Sequence, residues 1–159
     1  MNIFYNFYDI AFLKLNFSKQ HLLKSIEFVE KADVNKPHTY HKNHEYFIKI
    51  LDNYFSAKKY EVDFDLLDTN GISKFYIDVY KALLEIPLGM MTTYKELAIN
   101  SGHTGAYRAV GSAMARNRWP ILIPCHRVKA VNSIGGYSSG IELKKKLIAS
   151  EEKFAQKLN

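Results

Sequence analysis

The spacing of apolar side chains near the start of the chain is that of short strands. Residues 4–8, 10–17 and 23–29 are rich in aromatic and branched apolar side chains, and apolar and polar positions partly alternate within them. Alternation with a period of two is typical of a strand that buries one face. Three such segments in succession predict an antiparallel meander.

A helix and a domain boundary follow the predicted meander. Residues 31–45 are mostly polar and predict a loop, whereas apolar side chains recur at helical spacing over residues 43–57 and predict a helix there. Residues 60–64 favour one further short strand. The turn-rich segment 67–71 is the predicted boundary between two domains.

The second half of the chain has the pattern of a helical domain. Apolar side chains at helical spacing predict a first helix over residues 73–86. Thr93, followed three residues later by Glu96, has the spacing of a capping box and predicts a second helix over residues 94–100. A third helix is predicted over residues 106–116 after a glycine-containing turn, and the pair has the outline of a helix-turn-helix.

The end of the chain completes the predicted architecture. Ile141, Lys144 and Leu147 follow helical spacing and predict a final helix with Glu151 on its inner side. The predicted class is α+β, with α/β kept beside it. A small N-terminal antiparallel sheet-plus-helix domain is followed by a mostly helical domain that contains the helix-turn-helix.

The only cysteine of the chain lies in a markedly apolar stretch. Residues 121–128 read ILIPCHRV, so three branched apolar residues precede Pro124, Cys125, His126 and Arg127. The run predicts a buried strand end that Pro124 terminates, because proline donates no ladder hydrogen bond. Burial raises the pKa of a thiol, whereas a basic neighbour can make it a nucleophile. The residues alone leave open whether Cys125 is a core side chain or a nucleophile.

The distribution of charge points to an anionic partner for this region. The chain carries a formal net charge of +6, and its four arginines all lie between Arg108 and Arg127. Between Pro87 and Ile141 there are six lysines and arginines and a single acid, Glu96. A basic patch of this kind favours nucleic acid, although many basic proteins bind none.

The numbers and positions of cysteine and histidine indicate where in the cell the protein acts and whether it binds a metal. One cysteine cannot form an internal disulfide, which favours the reducing cytoplasm. The aromatic N-terminus has neither the layout of a signal peptide nor the length of a membrane span. His38, His41 and His44 are spaced by threes, but no cysteine or acidic cluster accompanies them, so a solvated loop explains them better than a metal site. No metal or cofactor is predicted.

Small side chains mark the third helix of this half and the loop after the cysteine. Ala109 and Gly111 belong to a set of small residues that lets the helix backbone approach either another helix or a DNA groove. Arg108 projects from that small-residue surface. Residues 132–140 combine small residues with Tyr137, which is typical either of a plain hairpin or of a loop around a flat ligand.

Taken in chain order, these motifs resemble one family, the O6-alkylguanine-DNA alkyltransferases. The matching positions are IPCHRV at residues 123–128, Ile86-Pro87-x-Gly89, Thr93-Tyr94-x-x-Leu97-Ala98, Arg108-Ala109-Val110-Gly111, Asn117, Gly136-Tyr137-Ser138 and Glu151. They run with near-family spacing over about residues 73–152. Each motif alone is weak, whereas the combination is specific. The N-terminal half matches only in general character.

The resemblance implies both a domain assignment and a function. It implies a ribonuclease-H-like support domain over residues 1–70, followed over residues 71–159 by a helix-turn-helix domain that binds DNA and accepts the alkyl group. The implied function is direct-reversal DNA repair. The protein would transfer an alkyl group, best a methyl, from O6-alkylguanine in DNA irreversibly to its own cysteine. O4-alkylthymine is a second candidate lesion.

The same resemblance assigns the catalytic residues. Cys125 is the alkyl acceptor, His126 acts as its base through a bridging water, and Glu151 holds and polarises His126. Tyr94 donates a proton to the leaving guanine, and Asn117 stabilises the segment beside the thiol and can donate to the sulfur. The thioether product is stable and no second cysteine can resolve it, so each molecule is expected to act once.

For DNA, the resemblance implies minor-groove binding of a duplex with the lesion base flipped out, because a base inside a duplex cannot reach a buried thiol. Arg108 is then the finger that fills the vacated stack. The other DNA-binding residues predicted are Tyr107, Ala109, Gly111, Thr93 and Arg116. The predicted substrate pocket comprises Tyr137, Ser138, Val128, Met114 and Pro120.

The sequence departs from the family pattern at two positions and leaves alternatives to weigh. Tyr107 stands where many relatives have a small residue, and Ser139 stands where glycine is frequent and would narrow the pocket.

The main alternative is a non-enzymatic alkyltransferase-like lesion binder, but such proteins replace the cysteine that is present here. A helix-turn-helix regulator would need a polar base-reading face, and a cysteine hydrolase would turn over repeatedly. A monomer without membrane contact is expected.

Overall fold

The structure, a computed structural model, describes residues 1–7, 10–30 and 41–156. The chain divides into two compact units, Met1–Asn70 and Gly71–Asn159. An antiparallel three-stranded sheet precedes a mostly helical second half, so the predicted fold class is confirmed. No helix in the described ranges combines the length and the hydrophobicity that crossing a membrane requires.

The sheet of the first unit is an antiparallel meander. Strands β1 (Asn2–Phe7), β2 (Ala11–Phe17) and β3 (Leu23–Val29) pair in the order β1-β2-β3. Every second side chain of the later part of β2 is buried, beginning with Leu13, as a period of two requires. The predicted meander is therefore confirmed, while Tyr8 at the end of the first predicted strand lies outside the described residues.

Helix α1 (Lys42–Phe55) supplies the other part of the first core. Its Phe47 side chain is fully buried, and the Phe17 ring of β2 lies 6.0 Å from the Phe47 ring between centroids. Helical spacing of apolar side chains predicted this helix, and the structure confirms it.

The strand predicted over residues 60–64 is wrong. Residues 60–63 have no regular structure, and Phe64–Leu66 form a short 3₁₀ turn. The Asp63 side chain accepts a hydrogen bond from the backbone N–H of Asp65 at 2.9 Å. Such a local bond to the backbone favours a turn over a strand ladder.

Three histidines meet at the start of α1. The Nδ1 atoms of His41 and His44 accept bonds from the backbone N–H groups of Asn43 and His41, both at 3.2 Å. His44 Nε2 lies 3.3 Å from His21 Nδ1, and the His21 and His41 rings stack with centroids 4.1 Å apart. The hydrogen of each neutral capping ring therefore lies on Nε2, and His44 Nε2 can donate it to His21 Nδ1. The solvated loop predicted for these positions is wrong at His44, which is fully buried in α1. His41 is half-buried outside regular structure, at the N-terminal cap of that helix, and His38 lies outside the described residues.

Four helices dominate the second unit. They are α2 (Lys74–Leu84), α3 (Tyr94–Asn100), α4 (Tyr107–Ala115) and α5 (Ile141–Gln156). Helices α3 and α4 form the predicted helix-turn-helix outline. The predicted capping box is confirmed as well, because Glu96 N donates to Thr93 Oγ1 at 3.1 Å and Thr93 N donates to Glu96 Oε2 at 2.8 Å.

A short parallel pair of strands brings two distant segments together. Strand β4 (Thr92–Thr93) pairs with β5 (Val128–Lys129), so the start of α3 lies beside the segment that follows the cysteine. The strand end predicted over residues 121–123 is wrong, because these fully buried residues form a turn. Ile121 has a φ of 75°, a left-handed conformation that branched residues rarely adopt and no strand contains.

Candidate active site

A cavity of about 160 Å³ opens beside the cysteine. Its wall consists of Tyr94, Gly111, Met114, Ala115, Cys125, Gly136, Tyr137 and Ser138. Three elements contribute: the first residue of α3, the second half of α4, and the chain around β5. Gly111 and Ala115, two of the small residues of α4, therefore form part of the cavity wall, a role that the sequence analysis did not give them.

The predicted substrate pocket agrees with this cavity only in part. Met114, Tyr137 and Ser138 line it. The assignments of Val128 and Pro120 are wrong for this cavity. The Val128 side chain is fully buried within β5, and Pro120 lies half-buried in the turn before the apolar run, away from the cavity wall.

The Cys125 side chain is buried, with 5% of the residue exposed. Asn117 Nδ2 lies 3.1 Å from the sulfur and also donates to the Ile123 carbonyl oxygen at 2.8 Å. Burial raises the pKa of the thiol, whereas the Asn117 amide, the Lys144 charge and the Tyr137 hydroxyl lower it. The thiol is therefore hard to ionise, but groups that stabilise its anion surround it.

His126 and Glu151 form a buried pair behind the thiol. His126 Nε2 lies 2.6 Å from Glu151 Oε1, and the two residues are 0% and 1% exposed. Burial opposes ionisation of Glu151, but hydrogen bonds and charge from His126 and Arg127 outweigh it and hold the pKa well below its ordinary value. Burial also lowers the pKa of His126, against the influence of Glu151.

These protonation states define the tautomer of the imidazole. A neutral His126 that faces an ionised carboxylate donates its Nε2–H to Glu151 and keeps a lone pair on Nδ1. That Nδ1 atom is buried and has no hydrogen-bond partner among the described residues. The ring can therefore accept a proton at Nδ1 while Glu151 stabilises the resulting cation.

Arg127 clamps the same carboxylate, although sequence analysis gave it no role of its own. Its Nε donates to Glu151 Oε2 and its Nη2 donates to Oε1, both at 2.9 Å. Its Nη1 donates to the Ile86 carbonyl oxygen at 2.7 Å, and the Gly89 N–H donates to Glu151 Oε2 at 3.1 Å. The sequence feature that could have predicted this role is the position of Arg127 beside His126, in a stretch that is otherwise apolar.

Lys144 is the second residue of the site that sequence analysis missed. Its side chain is fully buried in α5, and Nζ donates to the Val128 carbonyl oxygen at 2.6 Å and to the Gly136 carbonyl oxygen at 3.1 Å. Burial lowers the pKa of Lys144 to about 8, while the Cys125 charge raises it. The sequence feature that could have predicted its burial is a lysine on the predicted inner face of the helix, seven residues before Glu151.

Two phenols flank the thiol. Burial, together with the Cys125 charge, raises the pKa of both Tyr94 and Tyr137, so both remain protonated at neutral pH and can donate. The Tyr137 hydroxyl is buried and forms no hydrogen bond of regular geometry with a described residue. Gly135, with a φ of 72°, lies so close to Tyr94 that a Cβ there would be 3.2 Å from the Tyr94 hydroxyl.

The predicted DNA-binding residues lie on the helix-turn-helix. Arg108 is exposed, and it precedes Gly111 by three residues and Ala115 by seven, so it lies on the helix face that lines the cavity. Other predicted contacts hold exposed or half-buried positions, namely Tyr107, Ala109, Arg116 and Thr93. Arg108 and the cavity-lining residues Gly111 and Ala115 thus belong to the same side of α4.

Comparisons with known proteins agree with this arrangement. A family described as 6-O-methylguanine DNA methyltransferase, DNA binding domain, matches residues 74–153. A methylated-DNA–protein-cysteine methyltransferase of Methanosarcina barkeri is 39% identical over 135 residues, which cover 82% of this chain and 84% of that protein. One from Metallosphaera sedula is 44% identical over 103 residues, which cover 65% of this chain and 64% of that protein's length.

The comparison with solved structures agrees with these relatives. The crystal structure of Mycobacterium tuberculosis OGT in complex with DNA has a TM-score of 0.70 and 31% identity to this chain, covering 91% of this chain and 89% of that one. A helix-turn-helix unit with a buried thiol backed by an imidazole and a carboxylate defines a cysteine-dependent class of DNA-associated proteins. The chain belongs to the methylated-DNA–protein-cysteine methyltransferase family, and the resemblance seen in its motifs is confirmed.

Proposed function

We propose that this protein repairs DNA by moving the alkyl group of O6-alkylguanine, best a methyl, onto its own Cys125. The transfer is irreversible and occurs once per molecule. The observation that carries the proposal is a buried thiol that lines a cavity while the adjacent His126 donates to Glu151 at 2.6 Å. O4-alkylthymine is the second lesion that we include in the substrate range.

In the reaction, a C–S bond forms and the C–O6 bond of the lesion breaks. The thiol proton passes through a bridging water to His126 Nδ1, and the sulfur lone pair attacks the alkyl carbon. The imidazolium that forms is stabilised by Glu151, which Arg127 holds in place. A soft thiolate suits this electrophile, because an alkyl ether carbon is itself a soft centre.

The guanine leaves with the electron pair of the broken bond at O6. A proton delivered to a ring nitrogen of the base neutralises that charge, and we assign this donation to the Tyr94 hydroxyl at the cavity wall. Because the interaction is strongest in the transition state, loss of the hydroxyl is expected to slow transfer more than it weakens binding. The Ser138 backbone amide and the Cys125 carbonyl are the proposed readers of the guanine edge.

The base reaches the cavity by leaving the duplex. We assign residues 71–159 the DNA-binding and alkyl-accepting role and residues 1–70 a supporting one. Arg108 enters the minor groove and fills the vacated stack, and Gly111 allows close approach of α4. Contacts made mainly to the DNA backbone favour no particular sequence, as a protein that scans a genome requires. We expect a monomer that acts in the cytoplasm.

The test of the transfer uses a duplex that carries one O6-methylguanine. Incubation should add one methyl mass to the intact protein, and peptide mapping should place it on Cys125. Cys125→Ser should bind the duplex and remain unmodified. Methyl groups found on other residues, or none on Cys125 under saturating DNA, would contradict the proposal. Binding without any transfer by the unmodified protein would favour a non-enzymatic lesion binder.

The finger assignment has its own test. Arg108→Ala should slow methyl transfer from duplex DNA far more than transfer from a free O6-alkylguanine base, because only the duplex requires base extrusion. Lys95→Ala, which removes an exposed cation of α3, is the matched control. Equal losses on both substrates would place Arg108 outside the extrusion step.

A further inference from the structure

The backbone of His103 belongs both to the end of α3 and to the entry of α4. Helix α3 ends in a Schellman motif with Gly102 in the left-handed conformation, at a φ of 79°. Within that motif His103 N donates to the Ala98 carbonyl oxygen at 2.8 Å. The His103 carbonyl oxygen accepts from Ala106 N at 3.0 Å, and Ala106 immediately precedes α4. A shift of His103 would therefore move the start of α4.

The side chain of His103 connects this turn to α2. Its Nε2 atom lies 3.2 Å from Asp78 Oδ2, and because a carboxylate only accepts, the imidazole is the donor. The His103 ring also meets the Phe75 ring at an angle of 64°, with centroids 4.7 Å apart. Phe75 and Asp78 are three residues apart and share one face of α2. That face therefore fixes both the position and the orientation of the imidazole.

Little else in the part of the chain that the structure describes fixes the start of α4. The N-cap position is Ala106, and no described side chain caps the helix there. Gly102 and Gly105 both have a positive φ, and a Cβ built at either would meet nothing within 4 Å. Thr104, between His103 and Gly105, is exposed. A turn with so few packed side chains depends on its anchored residue for a single conformation.

The two ends of α4 are held on α2 by different contacts. Towards the C-terminal end, the Tyr80 hydroxyl donates to the Ala113 carbonyl oxygen at 2.9 Å within the core. The cavity-lining residues of α4 lie in this second half of the helix. Arg108 lies in the first turn, next to the segment that His103 anchors. Loss of the His103 contact should therefore displace Arg108 and leave the cavity wall in place.

We propose that His103 is a positioning residue for DNA binding: its bond to Asp78 fixes the entry of α4 and thereby sets where Arg108 meets the duplex. The inference rests on the proposed function for the role of Arg108 in base extrusion. His103 is not among the residues that line the cavity, so its effect on methyl transfer passes through α4.

The test measures single-turnover transfer from duplex DNA and from a free O6-alkylguanine base. His103→Ala should slow transfer from the duplex about threefold or more, as loss of one partly exposed charged hydrogen bond allows, and leave the rate with the free base unchanged. His103→Gln keeps an N–H donor within reach of Asp78 and should restore most of the duplex rate. The exposed neighbour provides the matched control, Thr104→Ala. Equal losses on both substrates, no loss on the duplex, or no restoration by glutamine would overturn the inference.

A second measurement needs neither DNA nor a variant of His103. In Asp78→Ala, the Val110 amide at the start of α4 should lose protection from hydrogen exchange about threefold or more, whereas the Arg116 amide at the other end should keep it. Lys74→Ala is the control, because it removes the other bond to Asp78 and leaves that of His103. Unchanged exchange at Val110 in Asp78→Ala, or an equal loss at both ends, overturns the inference. The expected exchange pattern in a protein that transfers no methyl from DNA would contradict only the proposed function.

Discussion

Replacing Glu151 by glutamine tests the buried network behind the thiol. The carboxylate faces N–H donors from three residues: His126 Nε2, Arg127 Nε and Nη2, and the Gly89 backbone. A glutamine side chain offers one oxygen and one NH₂ group, so the NH₂ group would meet donors only. Arg127 would keep its charge in a buried site while losing the anion that balances it.

The expected cost follows from that imbalance. Removing one partner of a buried ion pair destabilises a protein by about 3–5 kcal/mol. For a chain of this length each kcal/mol lowers Tm by about 2–4 °C, so Glu151→Gln should melt about 6–20 °C below the unmodified protein at pH 7. Because the folded-state pKa of Glu151 is depressed, its stabilisation is present above the unfolded pKa of about 4.3 and is lost as pH falls towards the folded value. The difference between the two proteins should therefore narrow below about pH 4.

The assay is thermal unfolding followed by circular dichroism at pH 7 and at pH 3.5. Glu152→Gln is the matched control, because this neighbouring carboxylate is exposed and its substitution should change stability by less than about 0.5 kcal/mol. The reasoning is refuted if Glu151→Gln melts within about 2 °C of the unmodified protein at pH 7, since that shift corresponds to about 1 kcal/mol or less.

Three further predictions concern other parts of the chain. Gly135→Ala should slow transfer because its Cβ would press on Tyr94, whereas Gly136→Ala, with nothing within 4 Å, should leave folding and Tyr94 undisturbed; single-turnover rates and Tm compare them. Burial lowers the pKa of His44 to about 4, so the stability it contributes is full above the unfolded pKa of about 6.5 and is lost as pH falls towards 4. Hydrogen exchange of α1, corrected for intrinsic rates, should show weakening protection over that range, and constant protection would contradict this. The methylated protein should melt lower, with a destabilisation of about 1–3 kcal/mol from overpacking, and an unchanged Tm would exclude it.

Local patterns predicted the three-stranded sheet and the main helices of the fold. The period of two predicted β2, helical spacing predicted α1 and α5, and the Thr93–Glu96 spacing predicted the start of α3. They failed where an apolar run had no period. Residues 121–123 are as buried as a strand would be, but prolines on both sides and the left-handed Ile121 make the segment a turn.

Some residues of the candidate site could likewise be predicted from the sequence, and others could not. Family motifs named the thiol, the imidazole and the carboxylate, because their roles depend on residue type and order along the chain. Arg127 and Lys144 were not predicted, because their importance depends on what they contact in the folded chain. Arg127 contacts a carboxylate 24 residues away, and Lys144 contacts carbonyl oxygens from two separate segments. Likewise, no pattern in the sequence distinguished the buried Val128 side chain from one that lines the cavity.

Under the proposed function, Cys125 takes the alkyl group of a DNA lesion once and keeps it. Its most direct test is the stoichiometry of transfer from a duplex containing radiolabelled O6-methylguanine, supplied in several-fold excess over protein. We expect label on the protein to reach a plateau at one methyl per molecule, with an equal amount of guanine restored in the DNA. Repeated turnover beyond one equivalent, or label released into solution as methanol, would contradict it.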